Sequence, residues 1–169
     1  PDAMERVLTV FGHLAESGIN GIMLQDDLII RSREGLSSWG RAHYALKTGN
    51  HSDMDSMLNP RSSAHSRWID IKTRRVAEVL SQIVRKCKKH KPDIRVGVNV
   101  YYETPLKPEK SREWYAHDLG LLLNSGIDHI FLMAYHRQMA AELGLSDAVT
   151  LELFSRLVNQ AAAVCKDKL

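Results

Sequence analysis

Hydrophobic positions divide the chain into alternating helical and extended stretches. Met4, Val7, Leu8, Phe11 and Leu14 recur every three or four residues, the spacing of one helix face, and Gly18 supplies the stop. An apolar run starts at once from Ile19 and ends in Gln25, Asp26 and Asp27, which predicts a buried strand over 19–27 that carries two carboxyls to its C-terminal end. Ile69, Val76, Val79, Leu80, Ile83 and Cys87 predict a long amphipathic helix over 68–90, ended before Pro92. From Ile94 the pattern alternates. Ile94, Val96, Val98 and Val100 share one face, expected to pack on helices, while Gly97, Asn99, Tyr101 and Glu103 share the other, expected to look into a barrel or crevice. After Pro105 and Pro108, a helix is predicted over 111–124, with Trp114, Leu119, Leu122 and Leu123 on its apolar stripe, so that Trp114 reads as core. A third strand follows over 129–135, ending in His136 and Arg137, and Leu151, Phe154, Leu157, Val158, Ala161 and Cys165 mark a last helix from about 146 to 166.

Strands separated by helices predict a parallel sheet with right-handed crossovers, hence an α/β fold of the (β/α) TIM-barrel-like kind. Three strands cannot close an eight-stranded barrel, so a partial barrel, or a fragment of one, is expected. The chain opens without Met and directly in a helix, as expected of a mature product or, more readily, of a piece of a longer protein. Residues 1–169 read as one domain. Within it, 28–67 form a long βα connection with weak helical patterns over 39–46 and 53–58. Leaving the carboxyl end of the first strand, this connection reads as a lid or groove wall.

The chain has 169 residues, 44% of them hydrophobic, enough for one substantial core. Its net charge of +3 is accounted for by the run Arg85, Lys86, Lys88, Lys89, His90 and Lys91. That run falls at a predicted helix end, where cations complement the helix dipole, and no aromatic residues interleave with it; nucleic acid is therefore not an expected partner. No apolar run reaches membrane-spanning length. Cys87 and Cys165 sit far apart in helical patterns, and His43, His51, Asp53 and His65 lack metal-ligand regularity. No glycine-rich phosphate loop follows any strand, so neither metal nor cofactor is expected.

One ordered set of segments has a familiar form. It runs from Asn20–Asp27 through Trp68–Arg74, Val98–Tyr102 with Pro105 and Pro108, and Glu113–Ala116 to Met133–Tyr135. In order and spacing it resembles the C-terminal hydrolase-like domain of the bacterial deacetylases that act on the biofilm polymer poly-β-1,6-N-acetylglucosamine, the PgaB type. The resemblance covers roughly residues 5–135. It implies a barrel-like glycoside hydrolase domain with an acidic, aromatic-lined groove for partly deacetylated poly-glucosamine, in a periplasmic or outer-membrane-associated protein. The deacetylase chemistry and its metal would belong to a separate N-terminal domain. The paired-Asp motif carries over to Asp26 and Asp27, and the strand-end Asn to Asn99. Two positions depart from the pattern: Val98 stands where an arginine is usual, and His136 and Arg137 follow Tyr135 where a glutamate is usual.

Glycoside cleavage needs one group to protonate the leaving oxygen and another to act as nucleophile or activate water, and carboxyls usually supply both. Asp26 and Asp27 are the first candidates. On a regular strand they would point to opposite faces, so only one could address a given sugar. Glu103 is the candidate second carboxyl. Asn99, Tyr101, Tyr102 and Tyr135 are candidate sugar contacts, and Trp39 in the long connection is a candidate stacking platform. His136 reads either as a proton-transfer group or as a plain polar strand end. Two readings stand: a hydrolase of the polymer, and a groove that binds and guides it without cutting.

Overall fold

The backbone amides and carbonyls of one strand, β2 (Arg95–Tyr101), are used on both sides, and this strand organises the molecule. Parallel β1 (Gly21–Leu24) pairs with it from Gly21↔Arg95 to Leu24↔Val98, and parallel β3 (His129–Met133) pairs from Gly97↔His129 to Tyr101↔Met133, giving the order β1-β2-β3. The computed structural model describes residues 2–26, 28–51 and 53–165, so Asp27 lies outside the described residues. The full order is α1 (Ala3–Glu16), β1, α2 (Ser38–Thr48), α3 (Met54–Leu58), α4 (Ser63–His90), β2, α5 (Glu103–Leu106), α6 (Pro108–Tyr115), α7 (Leu119–Leu123), β3, α8 (His136–Leu143) and α9 (Asp147–Cys165). The expected α/β architecture with parallel strands is therefore present.

Val96, Val98 and Val100 are buried, as the alternation predicts, in one cluster with Val76, Leu80, Ile83, Val84 and Cys87 of α4. β-branched side chains suit this face because they pack densely on the pleat at little rotamer cost. The opposite face is bare: Met23 and Phe131, in register with Gly97 and Asn99, are exposed. A side chain at Gly97 would meet the Phe131 ring at 2.5 Å, so the missing Cβ is what lets that ring lie across β2. At the N-terminal edge, Asp128 joins three elements. Its Oδ2 accepts from the Val96 amide at 2.8 Å and its Oδ1 from Lys88 Nζ at 2.8 Å. Burial alone would raise its pKa, but the Lys88 ammonium and the Val96 amide hold it below the usual carboxylate value. The basic run is a solvated helix end: Lys88 pairs with Asp128, His90 with Glu16 and Lys91 with Asp93.

Several boundaries differ from expectation, each for a local reason. β1 ends at Leu24, and Asp26 sits in the following turn, so strand parity does not govern where its carboxyl points. The 28–67 connection holds α2, α3 and the first turn of α4. Ser62 caps α4 by accepting from the Ala64 amide, and His65 is buried with Nδ1 2.8 Å from the Met57 carbonyl, a role its polarity conceals. Glu103 opens a helix instead of ending the strand. The helix expected over 111–124 is two helices. Pro108 starts α6, Ala116 ends it in the left-handed region at φ 58°, and Asp118 caps α7. His136 and Arg137 begin α8, which Gly144 terminates. Cys87 and Cys165 are buried free thiols.

Leu80 has no exposed surface and lies against the valine face. Leu80→Ala should therefore cost about 2–5 kcal/mol of stability, read as a lowered urea midpoint with little change in slope.

Candidate active site

Parallel pairing puts the C-terminal ends of all three strands on one edge, where backbone polarity and loop freedom favour a site. A cavity of about 360 Å³ opens there. It is lined by Tyr102 and Glu103 after β2, Lys107, Lys110, Trp114 and Tyr115 around α6, and Glu142 and Leu143 of α8.

Glu103 is the chemically distinctive group. It is 6% exposed, and its Oε2 has no hydrogen-bond partner. Burial raises its pKa and the negative charge of Glu142 adds to this, while its own amide, the Tyr102 hydroxyl and Lys107 act in the opposite direction. Burial is the largest influence, so the net shift of this carboxyl is upward. Glu142 differs: both of its oxygens accept hydrogen bonds, from the Tyr102 hydroxyl at 2.8 Å and from Gln138 Nε2 at 2.7 Å. Tyr102 is correspondingly held protonated, first by burial and then by its bond to Glu142. The buried contact of Thr104 Oγ1 with Ser111 Oγ at 2.8 Å ties α5 to α6, the two helices that carry Glu103 and Trp114.

An aromatic ridge leads away from this acid. Tyr115 stacks on Tyr101 with ring centroids 4.2 Å apart, and Trp114 meets Tyr115 edge-on at 6.2 Å. Trp114 is 39% exposed, with Lys110 Nζ 4.9 Å from its ring centroid. The expected core role is thus corrected: the break at Ala116 shortens the helix and turns the Trp114 ring toward the cavity. Burial first, and then the charge of Asp26, raise the pKa of Tyr101; Arg31 opposes this and Glu103 adds to it. For Tyr115, burial with the charge of Glu103 pushes the pKa up to about 12.

Of the candidates from sequence, Tyr102 and Glu103 line the cavity, Tyr101 borders it through Tyr115, and Asp26 is exposed at the neighbouring strand end. Asn99 is half-buried on the bare sheet face. Tyr135, 63% exposed, precedes α8, and His136 is that helix's first residue; neither lines the cavity. Trp39 lies on α2, 69% exposed and stacked on His43, also outside the cavity lining. Asp27 lies outside the described residues. Sequence reasoning missed Glu142, Lys107, Lys110 and the cavity role of Tyr115. Met139 and Leu143, four apart and followed by Gly144, were a readable signal for the helix that carries Glu142. Among the described residues, no group of three His, Cys, Asp or Glu side chains could hold a metal ion, and no helix is long and apolar enough to cross a membrane.

Comparison with known proteins adds three findings. A sequence family described as hypothetical glycosyl hydrolase family 13 (GHL13) matches residues 1–166. Among solved structures, the chain is similar to the PgaB (BpsB) glycoside hydrolase domain from Bordetella bronchiseptica, with a TM-score of 0.75 and 23% sequence identity, over 99% of this chain and 45% of that one. The chain thus spans less than half the length of the solved chain, and its fold is that of a partial TIM-barrel-like domain. No curated protein matches it.

Because the folded state raises the Glu103 pKa, it binds a proton that the unfolded chain releases near pH 4.5, and stability falls as pH rises through the folded value. Glu103→Gln should remove this component. The difference in melting temperature between the variant and the wild type should move in the variant's favour from pH 4 to pH 7, as followed by circular dichroism.

Proposed function

The chain belongs to hypothetical glycosyl hydrolase family 13, and from that premise we propose that it binds and hydrolyses partly deacetylated poly-β-1,6-N-acetylglucosamine. The observation that carries this reading is the buried carboxyl of Glu103, with one oxygen unpartnered, in a cavity that Trp114 and Tyr115 also line. A carboxyl whose pKa is raised by burial is suited to give its proton to a departing glycosidic oxygen, and a second carboxyl can attack the anomeric carbon or activate water. In this reading Glu103 is the general acid and Asp26 or Asp27 the nucleophile or base. Trp114 offers a ring face to a sugar, and Tyr101, Tyr102 and Asn99 orient hydroxyls, with Tyr135, His136 and Trp39 as outlying contacts along the polymer.

The substrate and setting rest on the sequence resemblance. They include a periplasmic or outer-membrane-associated parent protein and an N-terminal deacetylase domain. We read residues 1–169 as one barrel-like unit, with 28–67 as a wall of its groove. One observation favours the second reading, a groove that guides polymer without cutting: Asp26 is not among the residues lining the cavity that holds Glu103.

Product analysis on defined glucosamine oligomers, with the full-length protein, separates the two. Hydrolysis predicts shortened oligomers, lost in Asp26→Asn and reduced at least roughly 100-fold in Glu103→Gln. Binding without fragments selects the guiding groove. Trp114→Ala should weaken oligomer binding about tenfold under either reading, measured by calorimetry.

A further inference from the structure

Lys72, in the middle of α4, is 1% exposed, and among the described residues no carboxylate forms an ion pair with it. Its Nζ instead donates to two backbone carbonyls on separate parts of the chain, Arg31 at 3.0 Å and Glu113 at 3.5 Å. Arg31 belongs to the segment that follows Asp26, and Glu113 is the residue before Trp114 in α6. The same two segments meet twice more. The Ile30 amide donates to the Tyr115 carbonyl at 3.2 Å, and His117 Nε2 lies 2.9 Å from the Leu28 carbonyl. Burial lowers the pKa of His117, so the ring is neutral; Nε2 carries the hydrogen, and the unpartnered Nδ1 is its lone-pair side.

We propose that Lys72 is the positioning residue of this edge, a buried amine that clamps the segment after Asp26 onto the helix bearing Trp114 and Tyr115. It touches none of the cavity and acts through the two carbonyls it holds. The proposal rests on the functional reading only for what the clamp would position; the clamp itself is measurable without any sugar.

A clamp of this kind has a definite response to pH. Burial lowers the Lys72 pKa to about 8, against the opposing pull of Glu113 on α6 and Glu34 on the loop. Those two carboxylates are themselves engaged: Glu34 Oε2 accepts from the Arg31 amide at 2.8 Å, and the Glu113 carboxylate lies 3.8 Å from His65 Nε2. When the segment lifts, the amine meets water and recovers its ordinary, higher pKa. Opening therefore takes up a proton above about pH 8, and rising pH favours the clamped state.

Trypsin reads this directly, because the Arg31 carbonyl held by Lys72 is the one it would cleave. In the full-length protein, cleavage after Arg31 should slow several-fold from pH 7.5 to pH 9.5, normalised to an unstructured peptide of the same sequence. In Lys72→Met the normalised rate should be flat over that range. A flat wild-type profile, or a slope that persists in a folded Lys72→Met, overturns the proposal. Should the variant fail to fold by circular dichroism, the wild-type profile alone decides. Since no polymer is used, failure here and failure of the hydrolase reading are separate results.

Discussion

Where β2 lies between β1 and β3, both of its backbone edges are satisfied, and Val96, Val98 and Val100 are driven into the apolar side of α4. Parallel pairing leaves no choice about direction. The three strands must end together, and their connections must return across one covered face. The site follows from this constraint. Asp26, Tyr101 with Glu103, and Tyr135 come from stretches far apart in sequence, and they share an edge because their strands are parallel and in register. Asp128, bridging Lys88 and the Val96 amide, holds that register at the opposite edge.

On this edge the carboxyls stand in different environments. Glu103 is buried with one oxygen unpartnered, and the negative charge of Glu142 stands nearby. Glu142 has donors on both oxygens, and Asp26 faces water. Burial raises the pKa of Glu103, the direction that acid catalysis of glycoside cleavage uses. The Tyr101–Tyr115 stack gives the edge an aromatic surface continuous with Trp114.

The fold was legible where periodicity was strong. The valine alternation, the α4 stripe and the Gly18 stop, which has φ 88°, all match the structure. What could not be read came from tertiary contacts between polar groups. His65, Lys72 and His117 are polar residues that the core buries by giving each of them backbone carbonyls, so no hydrophobic pattern announces them. Glu103 was picked out, but for strand parity that it does not obey, since the chain turns into α5 at that residue. Trp114 fits a helical stripe on paper, and only the left-handed turn at Ala116 shows that the stripe is broken. Glu142 lies on a helix hidden behind a strand end that was read as terminating in His136 and Arg137.

Three contacts tie the segment after β1 to α4 and to the end of α6, and so hold the chain that follows Asp26 against the helix that carries Trp114 and Tyr115. The proposed function requires a sugar polymer to run along this edge past Asp26 and Glu103. A crystal structure of the protein with a bound β-1,6-linked glucosamine oligomer would show where the polymer lies. Sugar density is expected across Trp114 and the Tyr101–Tyr115 stack, with a glycosidic oxygen within hydrogen-bond reach of Glu103. An oligomer bound on the bare sheet face or at the Asp128 edge, with the Glu103 cavity empty, would contradict it.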